Sequence, residues 1–156
     1  MTRNTATFLE IPRPALILGL AGLLPFVWGV VTLYSPALAT LTTEAIGPRF
    51  SGPYVGLAYG TVILSFMSGV LWGFAANTSG AQAAVGYALA TLPALWAFFM
   101  VGGGPVSAAI NLITGFLALL ALDYVFWRWG LAPRWWMALR CILTGGVIMC
   151  LLPITL

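Results

Sequence analysis

The chain has 156 residues, of which 62% are hydrophobic and 6% are charged, and its formal net charge is +3. Ordinary soluble domains are roughly 25% charged, so a water-soluble fold of this length could not cover its surface with so few charges. All six basic residues are arginines scattered along the chain, which argues against a nucleic-acid partner. The composition predicts an integral membrane protein that crosses the lipid bilayer several times.

Residues 15–34 form the first long apolar segment, after a polar lead that carries Arg3, Glu10 and Arg13. The apolar region of a secretory signal has about 7 to 15 residues, so this longer segment predicts a retained first span rather than a cleaved leader. Pro25 lies in its middle and lacks the backbone N–H that a helix needs there, which predicts a kink. We interpret the kink as a packing feature, with a gate or ligand notch as the alternative.

Residues 35–52 form the longest connection. Ser35 with Pro36 favours a helix start, and Gly47 with Pro48 favours its end. The apolar residues of this segment fall on one side of such a helix: Leu38, Leu41, Ala45 and Ile46. The pattern predicts a short helix that lies in the membrane interface.

Residues 54–76 predict the second span, which carries a stripe of small or polar residues at every fourth position. The stripe consists of Thr61, Ser65, Gly69, Gly73 and Asn77. Four residues turn a helix by about 400°, so the stripe winds slowly along one face. Small residues let a neighbouring helix approach closely. We interpret the stripe as a close-packing seam that fixes the bundle, against a helix of the same chain or of another chain.

Residues 81–101, 106–126 and 136–154 form three further apolar segments, and Pro93 lies near the middle of the first of them. Each is long enough to cross a bilayer core of roughly 30 Å. Five spans joined by short loops predict an all-α, up-and-down membrane bundle that forms a single domain over residues 1–156.

The arginines predict the orientation of this bundle. Arg3, Arg13, Arg128 and Arg134 fall on the side of the N-terminus, and Arg49 falls on the opposite side. The side richer in arginine usually faces the cytoplasm. The N-terminus is therefore expected inside and the C-terminus outside.

Asp123 and Arg140 are the charges that fall clearly inside predicted spans. Asp123 and Arg140 are the same number of residues from the middle of the turn at residues 130–133, one before it and one after it. An antiparallel hairpin therefore brings both to the same depth. A charge at that depth is costly unless it is paired. We predict an ion pair that latches the fourth span to the fifth, with a proton relay or a substrate counter-ion as the alternative.

An apolar pocket between the kinked first and third spans is a further hypothesis. The residues that would border it are Pro25, Trp72, Pro93, Trp96 and Asn111. Core packing is the commoner role of such residues. A quinone, a lipid or a tetrapyrrole is the kind of small apolar molecule that such a pocket would take.

The sequence favours neither catalysis nor a cofactor or metal site. Ser65 and Ser68 have no His or Lys to activate them, because the chain contains neither residue type. Cys141 and Cys150 fall on opposite faces of one predicted helix, too far apart for a disulfide. Without His, the chain offers few ligands for zinc.

Three segments carry a resemblance to a known family: LGLAGLLPF in the first span, YGTVILSFMSGVLWGF in the second, and LDYVFWRWGLAPRWWMALRCILT in the last hairpin. Together they resemble the transmembrane protein 69 family, a domain of unknown function, over about residues 14–152. In that family a His commonly precedes the Trp of the second segment, whereas this chain has Leu71 there. The resemblance implies a small protein of the bacterial inner membrane or of mitochondria, and it implies no reaction.

Small-residue packing faces outnumber polar site residues in this chain. This balance favours an accessory or assembly subunit that packs against other membrane protein subunits in the bacterial inner membrane. The alternative is a carrier or sensor for a small apolar ligand.

Overall fold

The computed structural model describes residues 11–156, and the regular elements within them are helices. In chain order these are α1 (Arg13–Ala21), α2 (Leu24–Tyr34), α3 (Pro36–Ile46), a 3₁₀ turn (Pro48–Phe50), α4 (Gly52–Ala75), α5 (Gly80–Met100), α6 (Pro105–Arg128), α7 (Trp136–Leu151) and a second 3₁₀ turn (Leu152–Ile154). Arg3 and Glu10 of the predicted polar lead lie outside the described residues.

Within the described residues, five stretches are long and apolar enough to cross a membrane: Arg13–Tyr34, Gly52–Ala75, Gly80–Met100, Pro105–Arg128 and Trp136–Ile154. The first of them combines α1 and α2, and each of the others contains one of the helices α4 to α7. The predicted all-α bundle with five spans is confirmed.

The first span is broken rather than smoothly bent. Helix α1 ends at Ala21 and α2 begins at Leu24, with Pro25 in its first turn. Leu23 donates its backbone N–H to Leu20 at 3.0 Å, a tighter bond than the one in an α-helix. Since Pro25 has no N–H to give to the carbonyl of Ala21, the break follows from the proline.

The third span passes through Pro93 without a break, since α5 is continuous from Gly80 to Met100. One turn before the proline, the buried Ser68 hydroxyl of α4 donates a hydrogen bond to the carbonyl of Ala90. Membrane helices tolerate proline where a neighbouring helix supports the nearby backbone. This contact also ties the second span to the third.

The second span lies at the centre of the bundle and packs against the first, third and fourth. The fourth also contacts the third and fifth, and the fifth returns to the first. Phe26 and Phe116 meet edge to face in this core, with ring centroids 6.4 Å apart. The core contains these large, fully buried side chains: Phe26, Leu64, Leu71, Leu112, Phe116, Leu119 and Phe126.

The turn after α6 sets the pairing of α6 with α7. Gly130 has a φ of 75°, donates to the carbonyl of Trp127 at 3.0 Å, and is followed by Leu131, which donates to the carbonyl of Phe126 at 3.1 Å. These two bonds form a Schellman motif, in which glycine takes the left-handed position without strain. The motif ends α6 and reverses the chain toward α7.

The stripe of the second span faces outward. A Cβ atom added at Gly69 or Gly73 would meet nothing within 4 Å, and Ser65 and Asn77 are exposed. Thr61 is half-buried. Within residues 11–156 the stripe is therefore not the seam that fixes the bundle, and that interpretation is wrong for contacts inside the chain.

Other glycines make the close contacts between helices. A Cβ at Gly86 of α5 would lie 2.9 Å from the Cβ of Ala75 in α4, and one at Gly60 would lie 3.1 Å from Leu112. The inward face of α4 carries Leu64 and Leu71, which are fully buried. The stripe lies outside because the large aliphatic residues of α4 fill the core on its opposite side.

Candidate functional site

Asp123 accepts hydrogen bonds from two donors on α7. Its Oδ2 lies 2.6 Å from Nε of Arg140, and its Oδ1 lies 2.9 Å from Nε1 of Trp136. The Asp123 side chain is fully buried and that of Arg140 is 5% exposed. The charges that the sequence places at equal depth therefore form an ion pair, and both oxygens of the carboxylate are engaged.

Three residues of α7 face this region at intervals of four: Trp136, Arg140 and Thr144. This spacing puts their side chains one above the other on a helix. Thr144 is 2% exposed, and neither its Oγ1 nor Nη2 of Arg140 has a hydrogen-bond partner within residues 11–156. Buried polar groups are usually bonded, so these two groups are exceptions within the described residues.

Arg140 and Thr144 line a cavity of about 290 Å³ between the first, second, fourth and fifth spans. Most of the other lining residues are apolar, among them Leu18, Phe66 and Phe116. Leu18 and Phe66 are 72% and 65% exposed on the outer surface of the bundle. The cavity therefore reaches from the buried arginine toward the face that lipid covers.

Pro93 and Trp96, predicted to border an apolar pocket, line a different cavity of about 510 Å³ between α5 and α6. Trp96 donates its Nε1–H to the carbonyl of Asn111 at 2.8 Å, and the Asn111 side chain donates to the carbonyl of Met100 at 2.8 Å. The polar groups of Trp96 and Asn111 thus join the third span to the fourth. The indole N–H of Trp96 and one N–H of the Asn111 amide are engaged in these bonds.

The other two residues of the predicted pocket lie elsewhere. Pro25 is half-buried at the break in the first span, and Trp72 packs against Tyr87 with ring centroids 4.5 Å apart. The second span packs against both the first and the third. The structure does not gather the five residues around one pocket, because the predicted walls each pack on the second span.

A shallow groove of about 380 Å³ lies between α4 and α5, beside the outward-facing stripe. Most of the residues that line it are small. They are Ser65, Ser68, Gly69, Trp72, Ala90, Thr91, Ala94 and Leu95. The stripe and this groove together form one outward-facing surface, hereafter called the docking face after the role proposed for it.

Sequence reasoning missed two residues around the ion pair. The ring of Trp136 packs edge to face on Phe74, and its N–H bonds to Asp123. Thr144 carries no distinctive sequence signal of its own, because threonine is common in membrane helices. The four-residue spacing of both from Arg140 is the signal that identifies them.

Comparison with known proteins places the chain in a family. A family model described as Protein of unknown function (DUF3429) matches residues 11–156. Transmembrane protein 69 of Xenopus tropicalis is 37% identical over 139 residues, covering 86% of this chain and 51% of that protein. Transmembrane protein 69 of Mus musculus is 31% identical over 147 residues, covering 91% of this chain and 56% of that protein.

The chain thus spans about half the length of the curated relatives that it matches. The resemblance to the transmembrane protein 69 family is confirmed. No solved structure matches the chain.

Proposed function

The chain belongs to the family described as Protein of unknown function (DUF3429), and we propose that it acts as a non-catalytic accessory or assembly subunit that binds a larger membrane protein. The observation that carries this proposal is the outward-facing docking face. Gly69 and Gly73 have open space around them on a helix that is otherwise the most buried of the five spans.

The stripe offers a partner helix a long contact. From Thr61 to Gly73 it extends about 18 Å along α4, more than half of the roughly 30 Å of a bilayer core, and Asn77 follows in the turn after the helix. Thr61 and Ser65 donate their hydroxyl hydrogens to backbone carbonyls of their own helix, at 2.8 and 2.9 Å. These two hydroxyl groups already have acceptors, so a partner helix can pack on the face without leaving them unpaired.

The docking face fits a helix of another protein whose larger side chains fill the groove between Gly69 and Ala94. A second copy of this chain is the competing partner, because Gly69 and Gly73 are spaced as in helix pairs that pack through two glycines four residues apart.

The non-catalytic part of the proposal is supported by how Asp123 is held. Both of its carboxylate oxygens already accept hydrogen bonds, from Arg140 and Trp136. This engagement supports a structural role for Asp123, as a latch between the fourth and fifth spans.

We place the protein in the bacterial inner membrane with its N-terminus in the cytoplasm. Arg13 begins the first span, whereas Arg128 and Arg134 lie at the turn between the fourth and fifth spans, so the up-and-down bundle puts all three on one side. Arg49 lies on the other side. The excess of arginine on the first side supports a cytoplasmic location for it.

A single glycine substitution tests the subunit role. Gly69→Leu fills the docking face with a branched side chain, and it should release the protein from its complex in mild detergent, as measured by native gel electrophoresis of membranes that contain the tagged full chain. Gly145→Leu is the matched control, since Gly145 is an exposed glycine of α7 with nothing within 4 Å of an added Cβ.

Three results would count against this role. The wild-type protein could migrate as a single chain, it could migrate as a complex with a second copy alone, or both leucine variants could leave its migration unchanged.

A further inference from the structure

The cavity beside Arg140 is lined by two residues that each carry a buried hydrogen-bonding group, and these two groups have no partner within residues 11–156. They are Nη2 of Arg140 and Oγ1 of Thr144, on side chains that are at least nine-tenths buried. An unpaired polar group in an apolar interior costs free energy, which a ligand can recover by bonding to it. We propose that this cavity binds an apolar molecule of the bilayer through a neutral carbonyl oxygen.

The charges of the site favour a ligand whose hydrogen-bond acceptor is neutral. A guanidinium has donors and no acceptor, so Nη2 of Arg140 needs an oxygen. Asp123, 2.6 Å from Nε, already balances the arginine's charge. An anionic head group would add an uncompensated negative charge at membrane depth, which is costly. A neutral carbonyl oxygen accepts without adding a charge, and the hydroxyl of Thr144, one turn along α7, is a second donor in the same cavity.

The other lining residues favour a ligand that is apolar beyond its carbonyl group. Phe26 and Phe116 form its buried wall, and Leu18 and Phe66 form an edge that is exposed on the outer face of the bundle. A ligand can therefore enter sideways from the lipid. The volume of about 290 Å³ is at the lower end of the range for small-molecule sites, roughly 300–1,000 Å³. It fits a head group, with a tail that remains between the lipid chains.

Two bilayer molecules share this chemistry: the ring of a quinone and the acyl ester of a glycerolipid. The inference does not depend on the subunit role. The docking face lies on the outer side of α4 and α5, whereas α5 contributes no lining residue to the cavity beside Arg140.

Binding to the full chain in nanodiscs tests the proposal and separates the two sources. Discs of phosphatidylethanolamine and phosphatidylglycerol are titrated with decylubiquinone, a short-chain benzoquinone, and saturation is followed by quenching of tryptophan fluorescence. Native mass spectrometry of chains released from the same discs counts retained phospholipid. Thr144→Val removes the hydroxyl at nearly constant volume and keeps the ion pair, so the variant should remain folded.

Thr144→Val should weaken binding about fivefold to tenfold, as expected for the loss of one hydrogen bond in an apolar site. Ile63→Phe, which fills the cavity without touching a polar group, should abolish binding. Thr114→Val is the matched control, because Thr114 is exposed and its hydroxyl bonds to the carbonyl of Ile110 of its own helix. It should leave binding unchanged. Thermal unfolding of each variant checks that it is folded.

A quinone site is identified by saturable binding of decylubiquinone that Thr144→Val weakens, Ile63→Phe abolishes and Thr114→Val leaves unchanged. One retained phospholipid per chain that is lost in Thr144→Val identifies a lipid ester instead. The proposal is overturned if the wild-type protein binds neither molecule, or if Thr144→Val and Thr114→Val behave alike. It is also overturned if palmitate, an anion, binds more tightly than either neutral molecule.

Discussion

Asp123 joins the last two spans through three side chains rather than two. Arg140 supplies the opposite charge and Trp136 supplies a second hydrogen bond, so no oxygen of the buried carboxylate is left without a donor. A pair with this geometry offsets part of the cost of removing two charges from water. It also fixes the depth at which α6 and α7 meet, since the two residues match only in one register.

Removal of one partner from this pair should destabilise the fold strongly. Asp123→Ala leaves the charge of Arg140 buried without compensation, which typically costs about 3 to 5 kcal/mol. The double variant Asp123→Ala with Arg140→Met should recover much of that loss, because it removes the uncompensated charge as well. Reversible unfolding in mixed detergent micelles measures both values.

Arg134→Met is the control for this comparison of single and double variants. Arg134 is exposed in the turn before α7, so its replacement should change the stability of the fold little. Additive losses in Asp123→Ala and Arg140→Met would show that the two side chains do not interact.

Trp136→Phe should weaken the same latch more mildly. Phenylalanine keeps the edge-to-face contact with Phe74 but removes the N–H that bonds to Oδ1 of Asp123. A hydrogen bond to a charged group contributes about 1.5 to 3 kcal/mol. Trp129→Phe, at the exposed end of α6, is the comparison and should cost less. Equal losses in the two variants, measured by the same unfolding assay, would refute a specific role for the Trp136 N–H.

At the scale of helices, small residues at a few positions let neighbouring spans approach closely. Lipid tails are as apolar as leucine, so burial of leucine against another helix gains little over its burial in lipid. Gly86 and Ala75 instead let α4 and α5 come together, and Ser68 adds a hydrogen bond between them. These small residues hold the second and third spans side by side.

Gly86→Ala should therefore destabilise the bundle by about 1 to 3 kcal/mol, the usual cost of overpacking. The added Cβ would lie 2.9 Å from the Cβ of Ala75, which cannot rotate away. Gly145→Ala introduces the same methyl group into open space and should be near neutral. If the two alanine variants unfold at the same detergent composition, the close contact between α4 and α5 is not a source of stability.

The same physics explains which features the sequence could predict. Span number, the break at Pro25 and the short helix after the first span follow from apolar length and from proline and glycine signals. The position of Asp123 opposite Arg140 follows from hairpin symmetry. The outward direction of the stripe does not follow, because α4 is apolar on every side. Leu64 is buried while Phe66 is 65% exposed, and hydropathy cannot tell them apart in lipid.

The sequence also does not predict the cavity beside Arg140. Its walls come from four spans, and the relevant residues Leu18, Phe66, Phe116 and Arg140 are far apart in the chain. The spacing of Arg140 and Thr144 on α7 was visible, but the gap in front of them depends on how the first span packs against the fifth.

At the scale of the whole molecule, the five spans put Arg13 and Leu156 on opposite sides of the membrane. In the proposed orientation Arg13, Arg128 and Arg134 face the cytoplasm, so an alkaline phosphatase fused after Leu156 should be active, and a green fluorescent protein at the same site should be dark. A fluorescent fusion at the C-terminus would contradict the proposed orientation.

The docking face gives the molecule its proposed role, and a cysteine scan along α4 in native membranes tests it most directly. Cys141 and Cys150 are first replaced by alanine, and single cysteines are then treated with a short bifunctional crosslinker. The positions on the stripe are Thr61, Ser65, Gly69, Gly73 and Asn77, and the comparison positions are the exposed Val62 and Gly145.

The stripe positions should all crosslink to one partner of constant mass that is larger than this chain, and the comparison positions should not. Crosslinks of equal yield at every exposed position, products with the mass of two copies of this chain, or no product on the stripe would contradict the proposed role.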